Sequence, residues 1–451
     1  MFDVQSILNS IFYMKNKTHI PSNIITKVLN EIEAEELIKL TSDLVKINSV
    51  WDPVAGTSEQ EAADFVSRWA EQQGFDIQED EVEPGRPNVI ISWESGPGER
   101  TLMFEGHTDV VTPGDVSVWR YDPFGAAISE GRMFGRGTSD TKGNLAAMLI
   151  AMAALKRSGI KLAGTIIGGV LCDEEDQMLG VRDFIERGHA DRVTGAVICE
   201  PQDGIICTAQ KGALRAQFMI SGRMSHGAMP LSGLNTAPAV AKLISLLHDL
   251  EVIAVKNQGQ DENLGWSSYT PTVIQAPACG APQLNVMPGE ARILVDIRTI
   301  PGQSHPAIID DLAGLAIEIQ QEVGKDYREY DNLLGLKRNH DLTIELEILT
   351  DRPCTLTERD DPVIQAADWA TRQLRNQDPT YGGVPGATNG TFLWALKNIP
   401  IVTMGAGDRQ VPHQVDEWVD LNQLVETAKI YALTALHYLS PKLVEPKNRK
   451  D

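Results

Sequence analysis

A histidine and an aspartate lie two residues apart in the segment Glu105-Gly-His107-Thr-Asp109, directly after the apolar run at 101–104. That run is typical of a short buried strand leading into a loop. In an extended chain the side chains of residues i and i+2 point to the same side, so His107 and Asp109 can touch. A carboxylate beside a histidine fixes the tautomer with which the imidazole binds a metal ion. Because the same pair is common as a structural contact, the motif needs further candidate ligands beside it.

Other acidic residues and one more histidine occupy similar positions near predicted strand ends. They are Asp140, Glu174, Glu175, Glu200 and His413. Two histidines with several carboxylates suit a hard-to-borderline divalent ion, Zn²⁺ first, with Co²⁺ or Mn²⁺ as alternatives. A pair of such ions stabilises both the attacking and the developing oxygen and lowers the pKa of a bridging water. The sequence therefore indicates a site for metal-dependent hydrolysis.

Two adjacent glutamates offer a division of labour in such a site. One carboxylate of Glu174-Glu175 can face the metal ions while its neighbour takes the proton from the attacking water. The alternative is a solvated acidic pair before a helix, where negative charge is favourable. Glu200 by itself is equally consistent with an acid in a loop. The glycine-rich segment at 135–143 lacks the spacings that bind phosphate, and its Lys142 fits better as an ion-pair partner.

The elements that must position these residues alternate between helix and strand. A helix is predicted over 24–47, and strands and helices then follow in turn as far as residue 199. This alternation predicts an α/β domain with a mostly parallel sheet and helices on both faces. Sites in such sheets form at the carboxyl ends of the strands, where the candidate residues fall.

The pattern changes character after residue 205. From 212 to 349 it predicts strand-helix-strand-strand-helix-strand, a compact α+β unit of the ferredoxin-like kind. The helix–strand rhythm of the first domain returns after residue 355. We therefore expect four segments: an N-terminal extension at 1–24, a catalytic domain at 25–208 and 355–451, and an inserted domain at 209–354.

Composition excludes several classes of partner. The net charge of −22 argues against nucleic acid and anionic membranes as ligands. Five cysteines without a C-x-x-C pair favour free thiols over disulfides or a thiolate zinc site. The N-terminus does not resemble a signal peptide, and no apolar run is long enough to span a membrane. We expect a cytoplasmic protein.

Taken together, the motifs resemble those of the M20 metallopeptidase family, which includes acetylornithine deacetylase, succinyl-diaminopimelate desuccinylase, aminoacylase-1 and glutamate carboxypeptidase. The resemblance covers residues 35 to 440. It rests on GHTDVV at 106–111, GRGTSDTKG at 135–143, DEE at 173–175, EP at 200–201, SHGAMP at 225–230 and the late His413.

This resemblance implies a role for each candidate ligand. Asp140 would bridge two metal ions, with His107 and Glu200 completing one ion and Glu175 and His413 the other. Glu174 would be the general base, and Asp109 would orient His107. Family members also have a cis peptide after the bridging aspartate, which here falls at Asp140-Thr141.

The inserted domain would correspond to the family's lid or dimerisation domain, which implies a homodimer. There His226 resembles the histidine that reaches across a dimer to stabilise an oxyanion. Asn285 and Arg298 resemble residues that contact substrate, and a guanidinium suits a free carboxylate. The alternative for Arg298 is an ion pair with an acid of the protein. Asn389 departs from the family, because many relatives have aspartate there, and this departure puts the choice of substrate in question.

We therefore predict a metal-dependent amidohydrolase that cleaves the amide bond of an N-acyl amino acid carrying a free carboxylate. A di- or carboxypeptidase is the alternative within the family, as is a hydrolase of an unusual small carboxylate substrate. A non-catalytic, metal-bound scaffold is a further alternative, which loss of a ligand or of the base would favour.

Overall fold

The computed structural model describes residues 20–337 and 341–440. Residues 1–19 of the predicted N-terminal extension therefore lie outside the described residues. The chain divides into two compact units. The first contains the residues up to Thr208, with 357–382 and those from 388 onward, and the second contains 209–356 and 383–387. Residues 383–387 thus group with the second unit, although the sequence analysis assigned them to the first domain.

The first unit contains the helices and strands that carry most of the candidate residues. Its elements up to residue 208 are α1 (Ser22–Leu29), α2 (Ala34–Val45), α3 (Gln60–Gln72), β1 (Asp76–Glu83), β2 (Arg86–Gly96), β3 (Arg100–His107), β4 (Ala127–Ser129), β5 (Arg132–Phe134), α4 (Lys142–Arg157), β6 (Gly164–Leu171), α5 (Leu179–Glu186), β7 (Gly195–Ile198) and the start of β8 (Ile206–Gln210).

The second unit supplies the elements that follow. They are β9 (Gly212–Ser221), β10 (Ser225–His226), α6 (Ala237–Gln258), β11 (Ser268–Gln275), β12 (Val286–Met287), β13 (Glu290–Thr299), α7 (His305–Leu334), β14 (Thr343–Arg352) and β15 (Thr355–Leu356). The chain then continues with α8 (Pro362–Arg375), β16 (Tyr381–Val384), α9 (Gly390–Lys397), β17 (Ile401–Thr403), β18 (Trp418–Asp420) and α10 (Leu421–Tyr438).

The main sheet of the first unit has the strand order β1-β2-β6-β3-β7-β17. Its centre is parallel, because β3 pairs with β6 and β7 in parallel and β17 pairs with β7 in parallel. The flanking pairs β1–β2 and β2–β6 are antiparallel. This arrangement confirms the predicted α/β class with a mostly parallel central sheet. The three-residue strands β4, β5 and β18 form a separate small sheet that the sequence pattern did not predict.

Helices cover both faces of this sheet, as predicted. Alternate residues of β3 point to opposite faces, so Leu102 and Phe104 join one apolar core and Met103 joins another. Helix α4 is buried over almost its whole length, which explains why its sequence is apolar on every side. The central strands are therefore buried between helices on both faces.

The predicted helix over 24–47 is wrong as a single element, because the structure contains two helices there. Helix α1 ends at Leu29 with Asn30 as its C-cap, and Glu33 is extended before α2 begins. The apolar spacing continues across this break because both helices pack on the same core. The two helices predicted between 212 and 349 correspond to α6 and α7, which end at Gln258 and Leu334.

The second unit is a four-stranded antiparallel sheet with the order β11-β13-β9-β14. With α6 and α7 between the strands, this is the ferredoxin-like connection that the sequence predicts. One face of the sheet packs on both helices in a core that includes Phe218 and Ile293. No helix within the described ranges is long and apolar enough to span a membrane.

Candidate metal centre

The five predicted metal ligands lie at the end of a strand or in loops of the first unit. His107 is the last residue of β3, and Asp140 lies just before α4. Glu175, Glu200 and His413 follow β6, β7 and β17. Because these four strands are neighbours in the parallel part of the sheet, their carboxyl ends lie along one edge. The topology therefore brings residues far apart in sequence to one place.

The ligands form two clusters that share Asp140. In one, which we call the buried cluster, single ligand atoms of His107, Asp140 and Glu200 lie within 4.8 Å of one another. In the other, the exposed cluster, the same holds for Asp140, Glu175 and His413. These are the two ligand sets that the resemblance implies.

Asp140 presents a different carboxylate oxygen to each histidine. Its Oδ1 lies 3.1 Å from His107 Nε2, and its Oδ2 lies 3.5 Å from His413 Nε2. Glu200 Oε1 is 3.6 Å from His107 Nε2, and Glu175 Oε2 is 3.0 Å from His413 Nε2. The peptide bond Asp140-Thr141 is cis, as expected from the resemblance. One carboxylate thus faces both clusters, as a bridging ligand must.

Charge is concentrated in this site. Burial raises the pKa of Glu200 well above its ordinary value, and the nearby Asp140 carboxylate raises it further. Burial also raises the pKa of Glu175, again with Asp140 adding to the effect. The pKa of Asp140 moves in the opposite direction, because hydrogen bonds with His107 and His413 outweigh its burial and lower it. The carboxylates of the site therefore repel one another, and a cation between them would relieve this repulsion.

Both imidazoles lie beside carboxylates that raise their pKa. Burial lowers the pKa of His107, but Asp109, Asp140 and Glu200 outweigh it and raise the pKa well above its ordinary value. Hydrogen bonds with Asp140 and Glu175 raise the pKa of His413 to about 10. The acidic groups around both imidazoles therefore favour positive charge at this place, which bound divalent ions would also supply.

The residues fit a metal pair on their own geometry. Glu200 Oε1 is buried and has no hydrogen-bond partner among the described residues, although a buried acceptor normally has one. The donors are carboxylate oxygens and imidazole nitrogens, the set that Zn²⁺ and similar ions bind. A cation within reach of Glu200 would give this oxygen the partner that it lacks.

Asp109 and Glu174 lie beside the clusters rather than in them. His107 Nδ1 lies 3.0 Å from the backbone oxygen of Asp109 and 3.4 Å from its Oδ1. The other carboxylate oxygen of Asp109 accepts a hydrogen bond from the backbone of Glu175 at 2.9 Å. Asp109 therefore contacts both ligand-bearing segments. Burial raises the pKa of Glu174 well above its ordinary value, countered in part by the nearby His107.

Sequence reasoning missed two groups that contact the ligand loops. The buried Glu417 accepts hydrogen bonds from the backbone of Ser139 and Asp140. The buried Arg86 lies 2.6 Å from a carboxylate oxygen of Asp173, just before the adjacent glutamates, and pairs with Glu59 as well. The position of Glu417 four residues after His413 was the one available signal, since neither contact has a motif of its own.

The predicted substrate-binding residues are placed differently. Neither metal cluster in the described part of the chain contains a residue of the second unit. Within that unit, His226 is exposed and its Nδ1 accepts from the backbone of Ala228, and Asn285 is exposed. Arg298 binds Asp296 through Nε and Nη2, which matches the alternative interpretation of this residue.

Asn389 belongs to the first unit and is completely buried. Its Nδ2 donates a hydrogen bond of 2.8 Å to Glu105 Oε1, two residues before His107. This contact connects Asn389 to strand β3, which ends in His107.

Comparisons with known proteins agree with this geometry. The sequence matches the model of peptidase family M20/M25/M40 over residues 103–437. A probable succinyl-diaminopimelate desuccinylase from Staphylococcus epidermidis is 26% identical over 421 residues, covering 89% of this chain and 97% of the relative.

Solved structures show the same fold. The dipeptidase Dug1p from Saccharomyces cerevisiae aligns with a TM-score of 0.70 at 18% identity, covering 93% of this chain and 99% of that one. The YXEP protein of Bacillus subtilis, a dinuclear metal-binding peptidase, aligns with a TM-score of 0.65 at 16% identity, covering 90% and 98%. The chain therefore belongs to peptidase family M20/M25/M40 and is a hydrolase that acts on carbon–nitrogen bonds.

Proposed function

We propose that this protein is a metal-dependent amidohydrolase that cleaves the amide bond of an N-acyl amino acid. The observation that carries the proposal is Asp140, whose two carboxylate oxygens each face a different histidine. Such an arrangement suits two divalent ions, zinc first, with Co²⁺ or Mn²⁺ as alternatives. His107 and Glu200 would complete the ligands of one ion, and Glu175 and His413 those of the other.

Divalent ions in these clusters would polarise the amide carbonyl and lower the pKa of water toward neutrality. The residues of the chain supply the proton transfers. We assign Glu174 as the general base that takes a proton from the attacking water and passes it to the leaving amine. Glu174 belongs to neither metal cluster of the described residues, which leaves its carboxylate for proton transfer. Asp109 would hold His107 in the orientation that binds metal.

Similarity to the probable desuccinylase, which extends over nearly the whole length of that relative, supports an acyl amino acid as the substrate class. We assign Arg298 to the substrate carboxylate, with His226 and Asn285 as further substrate contacts. The buried Asn389 would influence substrate choice only through Glu105 and the strand that ends in His107. A guanidinium has five N–H donors, so pairing with Asp296 through Nε and Nη2 leaves Nη1 for a second carboxylate. We also propose a homodimer, in which His226 would stabilise the oxyanion of the partner's substrate.

A dipeptidase is the second candidate. Support comes from the fold that the chain shares with the yeast dipeptidase over nearly its whole length. Both reactions would use the same metal ligands and the same base, so they differ only in what lies on the acyl side of the amide bond.

Hydrolysis of a substrate panel separates the two candidates. N-acetyl, N-succinyl and N-formyl amino acids and a set of dipeptides are incubated with protein loaded with Zn²⁺, Co²⁺ or Mn²⁺, and with protein after chelation. Metal-dependent cleavage of the acyl amino acids supports the proposal, and cleavage of dipeptides alone supports the second candidate. A chain that binds no metal and cleaves nothing would refute both.

A further inference from the structure

Glu417 lies between a metal-ligand segment and a short strand. It follows His413 by four residues and immediately precedes β18, and it is completely buried. Strand β18 pairs with β5, with Trp418 opposite Phe134. Since the chain passes from β5 directly into the loop that carries Asp140, this pairing places Glu417 against that loop.

Within the described residues, Glu417 hydrogen-bonds to the segment 135–140. Its Oε1 accepts from the backbone N–H of Ser139 at 3.0 Å and from that of Asp140 at 3.1 Å. Its backbone oxygen accepts from the N–H of Gly135 at 2.8 Å. Its Oε2 accepts from Arg136 Nη1 at 2.5 Å. One residue therefore contacts both ends of the loop before Asp140, with its backbone oxygen at Gly135 and its carboxylate at Ser139 and Asp140.

The two N–H contacts have a direct consequence for Asp140. They fix the peptide plane from which the Asp140 side chain projects, and that side chain must present one oxygen to each histidine. A buried N–H that loses its acceptor is costly, so the loop would shift to find another partner. A shift at this residue would disturb both clusters at once, because both share Asp140.

We propose that Glu417 is a positioning residue for the metal centre, which couples the segment carrying His413 to the loop carrying Asp140. Within the described residues its carboxylate hydrogen-bonds to the backbone amides of Ser139 and Asp140 and to Arg136, so it would act on Asp140 through the backbone. This inference rests on the proposed metal centre. The competing explanation is that Glu417 serves only as the counter-ion of Arg136, which is itself buried.

Two double variants separate these explanations. Arg136→Met with Glu417→Gln removes the ion pair and keeps an oxygen that can accept from the two amides. Arg136→Met with Glu417→Met removes both the ion pair and the acceptor. Full-length, metal-free proteins are titrated with Zn²⁺ in competition with a chromophoric chelator, and thermal unfolding of the metal-free forms reports on folding.

The Gln variant is expected to bind Zn²⁺ more tightly than the Met variant by roughly 10–100-fold, the usual effect of losing a group that orients a metal ligand. Equal affinities in the two double variants would overturn the inference and leave the counter-ion explanation. If the Met variant does not fold, Glu417→Asp replaces it, because the shorter side chain keeps its charge for Arg136 and withdraws from the amides. A Glu417→Asp affinity equal to that of the wild type would likewise overturn the inference. A wild-type chain that binds no Zn²⁺ would instead refute the metal centre itself.

Discussion

The buried and exposed clusters share one aspartate and differ in almost everything around it. His107 ends a central strand and is completely buried, whereas His413 lies in a loop with a φ of 66° and a side chain that is 53% exposed. Segments with few buried contacts open more easily than central strands. We therefore expect the buried cluster to hold its ion tightly and the exposed cluster to exchange its ion with solvent.

The largest effect should come from the residue that the two clusters share. Replacing Asp140 by alanine removes a ligand from both clusters, so we expect both ions to be lost. Activity should fall by more than about 10⁴-fold, beyond what loss of a general base alone causes. Metal content by mass spectrometry and hydrolysis of the best substrate from the panel test this. An Asp140→Ala protein that retains two ions would contradict the shared ligand.

The adjacent glutamates should separate catalysis from metal binding. Glu174 belongs to neither cluster, so Glu174→Gln should keep both ions and lower kcat by about 10²–10⁴-fold. The matched variant Glu175→Gln changes a ligand of the exposed cluster and should weaken binding of that ion alone. Metal content and kcat are measured for both proteins side by side. Intact turnover in Glu174→Gln would remove the assignment of the general base.

Metal binding at the exposed cluster should weaken as the pH falls. The pKa of His413 in the metal-free protein is raised to about 10, so the imidazole is protonated at neutral pH and a metal ion must displace that proton. Affinity should therefore rise about tenfold per pH unit for each proton released. Because the folded protein holds this proton more tightly than the unfolded chain, protonated His413 stabilises the metal-free protein. This stabilisation is fully present below the unfolded pKa of about 6.5 and is lost as the pH rises through about 10.

Competition titrations with Zn²⁺ across neutral pH give this slope. The control is His413→Gln, which cannot hold the proton and should show a slope smaller by about one proton. A wild-type affinity that does not change with pH would show that metal binding releases no proton from His413.

The smallest effect concerns the support behind the buried cluster. Asn389→Asp places a second carboxyl group against the buried Glu105, whose pKa burial already raises to about 7. We expect the free energy of unfolding to fall by about 1–3 kcal/mol, the usual cost of a buried polar group without a suitable partner. Urea unfolding measures it.

A compensating variant serves as the control for this change. Glu105→Gln combined with Asn389→Asp restores one donor and one acceptor, and should recover most of the lost stability. Unchanged stability together with an altered substrate preference in Asn389→Asp would instead favour a contact between residue 389 and the substrate.

The sequence reveals the ligands of the first unit because their positions follow from local patterns. All but Asp140 follow an apolar run that predicts a strand, and parallel strands bring their carboxyl ends to one edge. The structure accordingly places His107, Glu175, Glu200 and His413 around Asp140.

Contacts that depend on packing left no such pattern. Arg136 and Glu417 are 281 residues apart, and the strands β5 and β18 that bring them together have only three residues each. The burial of Asn389 against Glu105 likewise depends on how the N-terminus of α9 packs on β3. The break between α1 and α2 was missed because helices on one core share one apolar period.

Anomalous diffraction from crystals of the zinc-loaded protein would show whether Asp140 bridges two ions. We predict two peaks about 3.5–4 Å apart, the separation usual for paired catalytic ions. One peak should lie between His107 and Glu200, the other between Glu175 and His413, with Asp140 in contact with both. A single peak, or two peaks that do not share Asp140, would contradict the account.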